Sequence, residues 1–216
     1  MRAHADCGLQ LATPVRLIRP DEQRAAAAML ARSFDGDPMF RYLLPGERQR
    51  AAWLPYLFGQ SLAHTLPDGG AWTTGDSLDG AILMAEPGRF PFPWTRGLGY
   101  FLRFWQRAGV PWPSWHIAKN GPQVQRAIDA MHHRGPHVYV YVLGVDPKRQ
   151  GTGAGGRLMR HAVGRADALG VALYLETTNP NNIGYYRRFG LEVTEEVVAA
   201  PGVPPIWAMV RGPAQP

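Results

Sequence analysis

Asp146-Pro147-Lys148-Arg149-Gln150-Gly151-Thr152-Gly153-Ala154-Gly155-Gly156 is the stretch on which the reading of this 216-residue chain turns. Before it, His137 to Val145 is mostly β-branched or aromatic, the composition of a strand buried in a sheet. After it, Gly153 to Leu169 reads as a helix and Val171 to Thr177 as a second strand. Strand, glycine-rich loop, helix and strand make a βαβ unit. Glycines let backbone approach an anion, several amide hydrogens converge there, and the helix starting near Gly153 adds the positive end of its dipole. The loop therefore predicts a phosphate site, with Lys148 and Arg149 beside it.

Two phosphate-loop families are disfavoured by the residues themselves. A Walker loop needs Gly-Lys followed by Ser or Thr, and the chain contains no Gly-Lys. The dinucleotide pattern is a closer rival, since Gly151, Gly153 and Gly156 satisfy G-x-G-x-x-G and Glu176 follows twenty residues later. Five residues nevertheless separate Val145 from Gly151, where a dinucleotide turn follows its strand almost at once, and sixty residues after Gly156 are too few for a doubly wound sheet.

Gln150-Gly151-Thr152-Gly153-Ala154-Gly155 resembles the Gln/Arg-x-x-Gly-x-Gly/Ala loop of the GNAT superfamily of N-acetyltransferases, and Gly144-Val145-Asp146-Pro147 before it is a common lead-in there. Asn179 and Tyr186 repeat the family's asparagine and its tyrosine seven residues on, and Tyr186 to Leu191 is similar to its Tyr-x-x-x-Gly-Phe, with Leu191 replacing Phe. Within the superfamily, Leu175-Glu176-Thr177, Pro180, Asn182 and Trp207 most resemble puromycin N-acetyltransferase-like proteins. The resemblance implies an α+β fold: a twisted, mixed, mostly antiparallel sheet of six or seven strands with helices on both faces.

Acyl transfer from coenzyme A to an amine needs a held pyrophosphate, a polarised thioester carbonyl, a neutral amine and a proton for the departing thiolate. The resemblance implies that Gln150, Gly151, Thr152, Gly153, Ala154 and Gly155 hold the pyrophosphate of acetyl-CoA, with Lys148 and Arg149 meeting its phosphates. It also implies that the backbone of Leu143, Gly144 and Val145 pairs with the pantetheine arm and donates to the thioester oxygen, Gly144 leaving room for the approach. Asn179 and Asn182 would hold that arm or the loop, with helix capping at Asn181 or Asn182 as the alternative. Tyr186 would protonate the thiolate, against plain core packing, the reading kept for Tyr185. Glu176, at a strand end facing the expected cleft, is the candidate general base, with His132, His133 and His137 as alternatives. Asp35 and Asp37 can bind a cationic acceptor or cap a helix. Acetyl-CoA is the expected co-substrate, and no metal is expected.

Outward from this unit, residues 1–14 read as a tail and 15–212 as a single domain with an insertion at about 87–136. Val15 to Arg19 alternates like a strand, and Asp21 is expected to cap a helix ending at Asp35-Gly36-Asp37-Pro38. Glu47 to Leu66 carries a helical apolar stripe, with Pro55 in a first turn or at a kink. Ala71 to Thr74 and Gly80 to Ala85 read as a hairpin, Pro122 to His133 as a helix, Asn181 to Phe189 as a short helix, and Leu191 to Val198 with Pro205 to Val210 as a closing hairpin. Nine aromatics interleaved with prolines between Phe90 and Trp115 form a local core, an apolar wall for the acceptor, or a homodimer contact.

Composition narrows the class. Apolar residues are 45% and charged ones 19%, enough for a core. The longest apolar run, Val138 to Leu143, is far short of the ~20 residues of a membrane span, and residues 1–14 lack an apolar signal core. One cysteine, Cys7, can form neither an internal disulfide nor a cysteine zinc site, which points to the cytoplasm. The net charge of +6 comes without a basic run or nucleic-acid motif, so no nucleic-acid partner is expected. The expected function is acetyl transfer to a primary amine of a small molecule. The alternatives are a protein or aminoacyl-tRNA acceptor, a non-catalytic acyl-CoA sensor, and, as an outlier, a nicotinamide oxidoreductase.

Overall fold

The computed structural model describes residues 14–75, 77–90 and 115–214. A seven-stranded sheet runs in the order β1-β2-β3-β4-β5-β7-β6, with β1 Val15–Leu17, β2 Ala71–Thr74, β3 Gly80–Ala85, β4 His137–Val145, β5 Ala172–Thr177, β6 Glu192–Val197 and β7 Ile206–Arg211. Every neighbouring pair is antiparallel except β4 and β5. Those two run parallel because a crossover helix, α5 (Ala154–Leu169), connects them, which a short hairpin loop cannot do. The expected mixed, mostly antiparallel sheet is therefore present.

Alternation along the strands sorts the core into two faces. Ile82, Met84, Val138, Val140, Leu173 and Leu175 point to one side, where Leu158, Met159, Ala162 and Ala166 of α5 cover them. Ala81, Leu83 and Val142 point to the other, under α1 (Gln23–Phe34) and α3 (Glu47–Thr65). Tyr139 and Tyr174 share that second side with Met39 of α2 (Pro38–Leu43) and with Val124 and Met131 of α4 (Trp115–Met131). Helix α6 (Asn181–Arg187) follows β5 and adds Tyr186 to the first face.

Several boundaries differ from the sequence reading for local reasons. Asp21 lies in a short 3-10 turn, Pro20–Glu22, and Glu22 does the capping: its carboxylate accepts from the Arg19 backbone N–H at 2.9 Å and from both Arg16 and Arg19 guanidinium groups at 2.8 Å. The loop after α1 holds an unforeseen helix, α2, which Asp37 caps by accepting from the Met39 and Phe40 amides. Pro55 and Pro122 both sit inside helices, so α4 starts seven residues before the expected Pro122. The tail through residue 13 and residues 91–114, most of the aromatic insertion, lie outside the described residues.

Candidate active site

The parallel pairing of β4 with β5 stops at Val140 and Leu175, while β4 continues along β3 to Val145. The two strands therefore splay apart at Tyr141 and Glu176. A second irregularity falls at the same place: Met84 is opposite Val140 and Leu83 opposite Val142, which leaves Tyr141 as an extra residue in a β-bulge. Beyond the bulge the Asp146 N–H donates to the Asp79 carbonyl at 2.9 Å. Antiparallel alternation then turns the polar backbone groups of Gly144 toward β3 and those of Leu143 and Val145 away from it, into the splay. There the Val145 N–H donates to Ser33 Oγ at 3.1 Å.

A cavity of about 880 Å³ fills the splay and extends to the start of α5. Its walls include Leu143, Gly144, Val145, Arg149, Gln150, Gly151, Gly153, Ala154, Gly155, Asn179, Asn182 and Tyr186, so most of the expected site residues converge on one space. Lys148 and Thr152 do not line it; the Lys148 amide donates to Asp146 Oδ1 and the Thr152 hydroxyl to the Arg149 carbonyl. Gly151 and Gly153 have φ of +79° and +80°, left-handed values that side chains rarely tolerate. The first helical hydrogen bond of α5 runs from the Arg157 amide to the Gly153 carbonyl at 3.0 Å. The amides of Ala154, Gly155 and Gly156 thus have no partner within the helix and sit at its positive end, facing the cavity.

Gly144 serves a neighbour other than the expected one. A Cβ there would lie 2.7 Å from Leu30 Cδ2, 2.9 Å from Ser33 Oγ and 3.1 Å from Phe34 Cε2. Its missing side chain makes room for α1, and only its backbone faces the cavity. Arg149 is likewise engaged, its Nε donating to Asp79 Oδ1 at 2.8 Å.

Tyr186 is buried and lines the cavity, and burial raises its pKa, so the hydroxyl stays protonated at neutral pH. Tyr185, expected only to pack, lies edge-on to Tyr186 and Phe189 but also lines the cavity, and its hydroxyl is buried without a hydrogen-bond partner among the described residues, 2.8 Å from where a Cβ on Gly155 would stand. Pro180 holds the N-cap position of α6, so neither Asn181 nor Asn182 caps it; Asn179 Oδ1 accepts from the Asn181 amide at 3.1 Å in the turn before the helix, while Asn182 Nδ2 donates to Thr177 Oγ1 at 3.4 Å.

Glu176 is at the mouth of the splay but not in this cavity. It shares a strand face with Tyr174, on the side opposite α5, and lies beside His132, Tyr139 and Tyr174. Asp35 is paired with Arg50 at 2.9 Å. Asp37 lines the cavity while capping α2; burial raises its pKa, and the Thr178 hydroxyl donates to it at 3.2 Å.

Sequence reasoning passed over Ser33, Phe34, Gly36, Arg160, Arg188 and Phe189, which complete the walls. Arg160 makes no ion pair among the described residues, and the Arg188 guanidinium lies 4.8 Å from the centre of the Tyr185 ring. Arg160 lies four residues past Gly156, close enough to the loop to be a candidate, whereas nothing local in the sequence marks Ser33 as a neighbour of Val145.

Known proteins agree with this architecture. At 30% identity over 151 residues, the chain is similar to a mycothiol acetyltransferase of Mycolicibacterium gilvum, with 64% of this chain and 41% of that protein covered. A mycothiol acetyltransferase of Mycolicibacterium vanbaalenii is 32% identical over 145 residues, 62% and 40% of the two chains. The chain thus spans about two fifths of the length of these curated relatives. Among solved structures, a Corynebacterium glutamicum protein described as histone acetyltransferase HPA2 and related acetyltransferase superposes with a TM-score of 0.67 at 21% identity, covering 95% of this chain and 99% of that one. A Drosophila melanogaster polyamine N-acetyltransferase gives 0.59 at 19% identity, over 92% and 99%. A family model described as Acetyltransferase (GNAT) family matches residues 82–191, just over half of the chain, which takes in the β3–β4 pair, the glycine loop, α5, β5 and α6. The chain belongs to the GNAT acetyltransferase family.

Proposed function

We propose that the protein moves the acetyl group of acetyl-CoA directly to a primary amine of a small molecule, both substrates being bound together. One observation carries this reading: a single cavity joins the splayed edge of β4, the unpaired first-turn amides of α5 and the Tyr186 ring. Its walls bring a glycine loop suited to phosphate together with the edge of β4, which suits a ligand with a phosphate end and a longer arm. Acetyl-CoA, when bound, supplies an acetyl thioester.

The chain's own groups then divide the work. The Ala154, Gly155 and Gly156 amides hold the pyrophosphate at the dipole's positive end. Because the Val145 amide is bonded to Ser33, the Leu143 amide is the donor aimed at the thioester oxygen. Glu176, at the far side of the splay, takes a proton from the amine, directly or through water. Tyr186 presents its proton to the departing sulfur. A phenol is a weaker acid than a thiol, so the hydroxyl stabilises the thiolate by hydrogen bonding as the C–S bond breaks.

The single cysteine supports a cytoplasmic setting. No helix among the described residues is long and apolar enough to cross a membrane. The test is acetyl-CoA thiol release over a panel of aminonucleosides, polyamines, arylalkylamines, amino acids and aminoglycosides. Turnover with one small-molecule class supports the proposal. Acetyl-CoA binding with turnover only on peptides or aminoacyl-tRNA would favour a macromolecular acceptor, and binding without any turnover a sensor.

A further inference from the structure

Two buried polar atoms that lack hydrogen-bond partners face each other on the α4 side of the sheet. His132 Nδ1 is 3.6 Å from Glu176 Oε1, and neither atom has a hydrogen-bond partner among the described residues. The reason lies in a chain of ring nitrogens. His137 Nδ1 is 2.7 Å from the Gly135 carbonyl, which can only accept, so Nδ1 carries the His137 proton. In the neutral ring His137 Nε2 is then a lone pair. His132 Nε2 lies 3.1 Å from it and must donate, which leaves His132 Nδ1 as the lone pair turned toward a carboxylate. Two acceptors face each other 3.6 Å apart, and a proton on either would let them close to hydrogen-bond distance.

We propose that His132 and His137 form a relay that receives the proton Glu176 takes from the acceptor amine. Both histidines act through Glu176 and touch no reacting atom, and the inference rests on the reading of Glu176 as the base. The amine N–H breaks as an O–H forms on Glu176; that O–H breaks as an N–H forms on His132 Nδ1, restoring the carboxylate beside an imidazolium. The His132 Nε2 proton can then pass to His137 Nε2. A small pocket lined by His132, Gly135, Pro136 and His137 gives the pair an outlet to water.

Among the described residues, His132 is the base that lies within 4 Å of the Glu176 carboxylate, while Glu86, on the wall of the small pocket, is paired with Arg165. Tyr139 and Tyr174 face Glu176 from β4 and β5, and burial together with its charge holds both protonated. Tyr141, across the splay, is exposed, and its phenol is a far weaker base than an imidazole. Phe90 stacks on His132 and has no site for a proton. His133 packs against His137 and Tyr174, and Glu195 bears on Tyr174 from β6. Burial lowers the His137 pKa, keeping that ring neutral at rest, as the tautomer chain requires.

The ring nitrogens of the full-length, 15N-labelled protein test this without turnover. Long-range 1H–15N spectra near pH 8 should show His137 protonated on Nδ1 and His132 on Nε2. A neutral His132 carrying its proton on Nδ1 would close the gap and overturn the relay. In thiol-release assays with acetyl-CoA and agmatine, spermidine or phenethylamine, His132→Asn should lower kcat about tenfold or more with the acetyl-CoA KM unchanged. The deficit should shrink as pH rises and hydroxide takes over. An unchanged kcat would also overturn the proposal. Absence of wild-type turnover would count against the acceptor reading instead, and the tautomers alone would decide the relay.

Discussion

Ser33 Oγ accepts the Val145 backbone N–H at 3.1 Å, and this bond ties the last turn of α1 to the strand edge that forms the cavity wall. The same turn closes over Gly144, so helix and strand are fitted at two successive residues. The splay is held open by packing from α1 as well as by the bulge at Tyr141.

That fit makes Gly144→Ala a packing test. A methyl group would press on Leu30, Ser33 and Phe34, and overpacking of this kind costs about 1–3 kcal/mol. A lower melting temperature is expected, with acetyl-CoA affinity falling only as far as α1 is displaced. If affinity disappeared while the melting temperature held, the glycine would be clearing space for the ligand, as the sequence first suggests.

The phosphate contacts should fall on an arginine of the cavity wall that has no acidic partner among the described residues. Arg149 is occupied by Asp79, whereas Arg160 lines the cavity without one. Arg160→Gln is therefore expected to weaken acetyl-CoA binding more than Arg149→Gln, and to flatten its dependence on salt. Isothermal titration at two ionic strengths reads both effects, and a larger loss from Arg149→Gln would reverse the assignment.

Acid stability should depend on Glu22. Hydrogen bonding to Arg16 leads the effects that lower its pKa from an ordinary 4.5 to about 2. Because the folded value is depressed, the stabilisation is complete above the unfolded value and is lost as pH falls from about 5 to 2, an upper bound of about 3 kcal/mol. Glu22→Gln should reduce stability at pH 7 and flatten this part of the melting-temperature profile. An acid limb unchanged by the substitution would place the titration elsewhere.

Much of the fold was legible because its signals are local. The βαβ unit from His137 to Thr177, the β2–β3 hairpin and the loop glycines each announce themselves by periodicity or by the residue types a tight turn requires. What stayed hidden depends on contacts distant in sequence. The pairing of Ser33 with Val145, the capture of Arg149 by Asp79 and the apposition of His132 and Glu176 arise only when the sheet forms. Glu22, rather than Asp21, caps the first turn because Arg16 and Arg19 converge on its carboxylate. Pro122 misled by sitting inside a helix whose start lies among the aromatics.

The central claim is that the Tyr186 hydroxyl stabilises the departing thiolate by donating a hydrogen bond to the sulfur, and Tyr186→Phe tests it most directly. The substitution keeps the ring that lines the cavity and removes only the hydroxyl. Single-turnover thiol release from acetyl-CoA, with whichever amine the screen identifies, separates chemistry from product release. The account predicts a rate lower by about 10² or more, with acetyl-CoA affinity nearly unchanged. A Phe variant within about threefold of wild type in that assay, well under the usual contribution of a proton donor, would contradict it and leave Tyr186 as a packing residue.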